Sequence, residues 1–106
     1  MERVNPEDSK IITLARAARA RNGSAEGAAV RDETGRTYSA TNVALSALTL
    51  SAVQVAAAMA ISSGARSLEA AALVSEGDPS PGDEAVAAEL GAGKLLVAGP
   101  DGTLRG

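Results

Sequence analysis

The apolar residues of this chain are small, and that restricts the folds open to it. Hydrophobic residues fill 45% of the 106 positions, yet Tyr38 is the only aromatic and there is no Phe or Trp. A core of Ala, Val and Leu removes little area from water per side chain, at roughly 25 cal/mol per Å². Helices and strands must therefore approach closely, and a second subunit is expected to complete the apolar surface. The length suits a single domain over residues 1–106.

Cys and His are absent as well. These residues supply most nucleophiles, proton shuttles near neutral pH and transition-metal ligands. A thiol protease, a His-based triad and a disulfide framework are excluded, and the lack of Cys is compatible with a cytoplasmic address. The formal net charge is −3 with acids and bases mixed along the chain, so there is no basic stripe for nucleic acid. Arg16, Arg19 and Arg21 read as a solvated helix face whose cations suit the C-terminal end of the dipole. The stretch Met1-Glu2-Arg3-Val4-Asn5-Pro6 has no apolar segment of a secretory signal. Residues 43–61 are nearly free of charge but are interrupted by Ser46, Thr49, Ser51 and Gln54. That pattern fits a buried helix and not a membrane span.

Local signals order the elements. Asn5 caps a first helix over residues 6–21, with Pro6 in its first turn and Asn22-Gly23 as its stop. Residues 25–30 and 36–41 form a hairpin around the Asp32-Glu33-Thr34-Gly35 turn. A long apolar helix is expected over residues 45–63, closed by Gly64. Residues 68–75 read as a buried, parallel strand. A Pro/Gly loop follows, then a helix over 83–90, a strand over 94–98, a turn at 99–102 and a short tail. The order α-β-β-α-β-α-β predicts an α/β fold with a mixed sheet and helices on its faces.

These elements, and several local sequences on them, resemble the cytidine deaminase family of the short bacterial type. Gly27-Ala28-Ala29-Val30 and Gly35-Arg36-Thr37-Tyr38-Ser39 are similar to the family's hairpin. Thr41-Asn42-Val43 is similar to its N-V-E segment, and Leu48-Thr49-Leu50-Ser51-Ala52-Val53 to its L-T-x-C-A-E helix opening. Ser80-Pro81-Gly82-Asp83-Glu84-Ala85 resembles its S-P-C-x-x-C turn. Lys94-Leu95-Leu96-Val97 and Asp101-Gly102 resemble its last strand and turn. The resemblance implies a three-layer α-β-α sandwich.

It also implies where chemistry would lie. In the family, three Cys, or one His and two Cys, hold a zinc ion that activates water, and a Glu moves the protons. The matching ligand positions are Ser51, Gly82 and Ala85, and the matching Glu position is Val53. None carries the required group, so no catalytic residue, metal or cofactor is expected. Asn42 matches the ribose-binding residue, but the Glu beside it is replaced by Ala44, and a strand-end capping role is the expectation for Asn42.

Replacement chemistry has few sources: Ser51, Thr49, Asp83, Glu84, Glu89 and Glu26, with Lys10 or Lys94 as the bases open to a serine. Asp83 and Glu84 are expected to complement a helix dipole. The leading expectation is therefore a catalytically inactive, homo-oligomeric interaction or assembly module, dimeric or tetrameric, with a further protein partner open. The alternative is a module binding a nucleoside or another small molecule in the old pocket. An active deaminase ranks last.

Overall fold

The computed structural model describes residues 5–105; Met1 to Val4, part of the stretch read for a secretory signal, and Gly106 lie outside it. The chain opens with α1 (Pro6–Asn22), followed by β1 (Glu26–Asp32) and β2 (Thr37–Thr41). A small pair, β3 (Val43–Ala44) and β4 (Thr49–Leu50), precedes α2 (Ala52–Ser62). The remainder is β5 (Leu68–Ser75), α3 (Pro81–Glu89), β6 (Leu96–Ala98) and β7 (Leu104–Arg105).

Five strands form one sheet in the order β2-β1-β5-β6-β7. Its alternation decides the layers. Ala28 and Val30 of β1, with Ala71 and Leu73 of β5, pack with Ala52, Val53, Ala56 and Ala60 of α2. Ala29, Ala70, Ala72 and Val74 face the other way, onto Ile11, Ile12 and Ala15 of α1. The three-layer α-β-α sandwich is thus present, and small residues bring its layers close. A Cβ at Gly27 would collide with the Ala15 carbonyl oxygen and stand 2.8 Å from the Arg19 Cβ.

Helix α1 starts as expected: the Asn5 side chain accepts from the Glu7 N–H at 2.8 Å, and Gly23 ends the helix at φ 62°. The second helix is shorter than expected. It begins at Ala52, because Ser51 and Gln54 form a reciprocal capping box, the serine oxygen taking the Gln54 N–H and the Gln54 side chain taking the Ser51 N–H. Residues ahead of it turn back through a Leu45–Leu48 hydrogen-bond pair, which sets Val43 against Leu50 and Ala44 against Thr49.

Strand β5 has the expected bounds, but it is parallel only to β6 and antiparallel to β1 along most of its length. Strand β1 runs on to Asp32, with a register shift at Arg31/Asp32. The Asp32 carboxylate accepts from the Thr34 hydroxyl and N–H, the Arg36 N–H and the Tyr38 hydroxyl. Chiefly the Thr34 hydroxyl, then Tyr38 and the two N–H groups, hold its pKa down to about 2, against burial that raises it. Helix α3 begins at Pro81, two residues before the expected start. Strand β6 is shorter than expected, and β7, unforeseen in the tail, pairs with it.

The arginine cluster is exposed at Arg16 and Arg21 and half-buried at Arg19. Arg16 Nε donates to the Pro100 carbonyl and Arg19 Nε to the Ala25 carbonyl, tying α1 to two loops. Among the described residues, no helix is long and apolar enough to cross a membrane.

Candidate functional site

The N-termini of α2 and α3 meet on one face of the sheet, and their caps are joined. Ser51 and Ser80 are the two N-cap residues, and each completes a capping box, with Gln54 and Asp83 respectively. Ser80 Oγ accepts from the Asp83 N–H at 3.1 Å, and Asp83 Oδ2 accepts from the Ser80 N–H at 3.2 Å. The other carboxylate oxygen, Oδ1, accepts from the Ser51 hydroxyl at 2.5 Å. Asp83 is fully buried. A carboxylate so placed lies at the positive ends of two helices, where an anion is favoured.

A second acid holds the same helix end. Glu26 Oε1 accepts from the Ala52 N–H at 3.0 Å, and the Glu26 N–H donates to Asn42 Oδ1 at 3.0 Å. Asn42 therefore sits where the start of β1 meets the end of β2, with its side-chain oxygen on a β1 N–H. The polar line runs Asn42, Glu26, Ala52, Ser51, Asp83, Ser80. It satisfies backbone donors that helix ends otherwise leave open.

Of the four family-matched positions, Ser51 is half-buried in this network. Val53 is 1% exposed and packs in the core between α2 and the sheet. Gly82 is half-buried, and a Cβ there would stand 3.5 Å from Gln54 Nε2. Ala85 is exposed on α3. The other candidate polar groups do not join them. Thr49 Oγ1 donates to the Leu45 carbonyl, Glu84 and Glu89 are exposed, and neither Lys10 nor Lys94 hydrogen-bonds Ser51 among the described residues.

Asp83 and Glu26 hold more of the structure together than their local sequence indicates. Asp83 does more than complement a dipole: its burial and its bond to Ser51 make it the centre of the cluster. The signal was present in the twin patterns Ser51-x-x-Gln54 and Ser80-x-x-Asp83, each a capping box followed by apolar residues. Nothing local could have linked Glu26 to Ala52. Among the described residues, no three His, Cys, Asp or Glu side chains converge as a metal-holding group.

A mixed sheet with α1 on one face, and two capped helix N-termini meeting on the other, defines a deaminase-type α/β sandwich. The chain belongs to the cytidine deaminase-like family, whose model matches residues 4–102. Solved structures agree with that placement. The cytidine deaminase of Burkholderia pseudomallei is 27% identical, with a TM-score of 0.76 over 91% of this chain and 87% of that one. That of Mycobacterium tuberculosis is 28% identical, with a TM-score of 0.70 over 91% and 86%. The cytidine deaminase of Mycobacterium leprae, at 22% identity and a TM-score of 0.70, covers 97% of this chain and 93% of its own and shares the fold. No curated protein matches the chain.

Proposed function

We propose that this single-domain protein is a cytidine deaminase-like pseudoenzyme that works as a homo-oligomeric interaction or assembly module. The observation that carries the reading is the state of Ser51 and Asp83. A zinc centre of the kind the family resemblance implies does not fit these residues. Gly82 and Ala85 have no side-chain donor atom, and the neutral Ser51 hydroxyl accepts from the Gln54 N–H and donates to Asp83. Val53 has no proton to move and lies in the core. Asn42 has its side-chain oxygen engaged by the Glu26 N–H, which gives it a structural role at the β1–β2 edge.

The polar cluster would then have a structural task, joining two helix caps with a hydrogen-bonded carboxylate. Self-association is supported by the outer face of α2 and α3. Ala57, Ala58, Ile61, Val86 and Leu90, bordered by Gln54 and Glu89, line an open and mainly apolar hollow of about 360 Å³, and Met59 and Ile61 are 41% and 42% exposed. Small residues along α2 permit the close approach that such a face needs.

Metal analysis of the purified protein together with a cytidine deamination assay tests the first half of this reading. No bound zinc and no turnover are expected; stoichiometric zinc, or turnover above the buffer rate, overturns it. Light scattering at micromolar concentration tests the second half, with a dimer or tetramer expected and a monomer as the contrary result.

A further inference from the structure

A second cavity lies outside the cap-to-cap cluster. It occupies about 390 Å³ between the loop ahead of α3, the first turn of α3, the segment entering β6, and β7. That volume falls in the range of small-molecule sites, roughly 300–1,000 Å³. Pro79, Leu95 and Val97 give it an apolar wall, while Glu84 and Lys94 border it with opposite charges.

Those two charges are the informative feature. Among the described residues, neither side chain makes an ion pair or a hydrogen bond, although both border one cavity. The other charged pair on the wall is engaged apart from Arg105 Nε, which is buried with no hydrogen-bond partner among the described residues. Arg105 donates to the carbonyls of Ser75 and Gly77 and stands 3.8 Å from Asp78. The net charge of the lining is zero. A purely anionic ligand would face Glu84, and a purely cationic one would face Lys94.

We propose that this cavity binds a compact zwitterion with an apolar body, the chemistry of a free amino acid such as leucine or phenylalanine. The ligand carboxylate pairs with Lys94, its ammonium group with Glu84, and its side chain covers Leu95 and Val97. A ligand with one charge makes only one of these two pairs, whereas a zwitterion makes both. Adjacent residues of α3 thus serve different sites: Asp83 turns inward to Ser51, and Glu84 borders the cavity. The assignment does not depend on whether the protein retains deaminase chemistry.

The test is titration of the full chain, followed by amide chemical shifts, with leucine, phenylalanine, N-acetylleucine, leucinamide and cytidine. Leucine or phenylalanine is expected to saturate with shifts at Glu84, Lys94, Leu95 and Val97. Both blocked leucines should bind at least about tenfold more weakly. Glu84→Gln and Lys94→Ala, two exposed positions, should each weaken binding about tenfold and leave the melting temperature unchanged. The proposal is overturned by no saturation at concentrations on the order of 10 mM, by equal binding of the blocked forms, by indifference to both substitutions, or by preference for cytidine.

Discussion

The Ser51 hydroxyl donates to the fully buried carboxylate of Asp83, 32 residues further along the chain, at 2.5 Å, joining the capping boxes of two helices. Each residue already has a local duty in its own capping box. The cross-bond turns two independent helix starts into one unit. It also places the negative charge of Asp83 where two helix dipoles favour it.

Removing either partner should therefore destabilise the fold through the other. Ser51→Ala leaves a buried carboxylate oxygen without its hydroxyl donor and should lower stability by about 1–3 kcal/mol. Asp83→Ala should lower it by at least as much, because it also removes the Ser80 capping partner. Denaturant unfolding of both single variants and the double variant checks this. The double variant is expected to lose less than the sum of the two.

Gly27 permits the close contact of α1 with β1. In Gly27→Ala the new methyl group would collide with the Ala15 carbonyl, which is helix backbone and cannot swing aside. A loss of about 1–3 kcal/mol is expected from such overpacking. A thermal melt unchanged from the parent would contradict the packing described for this pair.

The hairpin should impose a pH dependence of stability at the acid end. Asp32 titrates at about 2 in the folded chain against 3.8 ordinarily, so its stabilising effect is complete above 3.8 and is lost as pH falls through about 2. Asp32→Asn should thus melt below the parent at neutral pH, and the gap should close as the pH approaches 2. A gap that stays constant over that range would rule out this carboxylate as its source.

Val53→Glu restores the residue type of the family's proton shuttle but puts a carboxylate where 1% of the side chain is exposed. With no charged partner in the surrounding apolar cluster, the variant should be destabilised by several kcal/mol, on the order of the penalty for one buried ion. It should also show no deaminase activity. Turnover by this single variant would overturn the proposed loss of the metal centre.

Much of the layout could be read from residue types and their spacing. Asn5-Pro6 and Gly23 marked the ends of α1, and the apolar run 68–75 gave β5 its bounds. The second helix is shorter than the Ala-rich run 45–63 suggests, because that run carries no charge to mark where the helix starts. The mark lay instead in Ser51 and Gln54, whose reciprocal hydrogen bonds compete successfully with continuation toward Leu45. Leu45 and Leu48 are consequently left 61% and 48% exposed in the turn between β3 and β4.

The sequence by itself determined the small side chains that force close layers, the two capping boxes, and the absence of thiol and imidazole chemistry. All of these depend on composition or on residues within about four positions of one another. Tertiary structure alone decided that Ser51 meets Asp83, that Glu26 reaches the Ala52 N–H, and that Glu84 and Lys94 border one cavity. Such pairings depend on how β1, β5 and β6 stack in the sheet and on where the helices between them begin. Hydrogen bonds across those distances are made by geometry, and no local pattern encodes them.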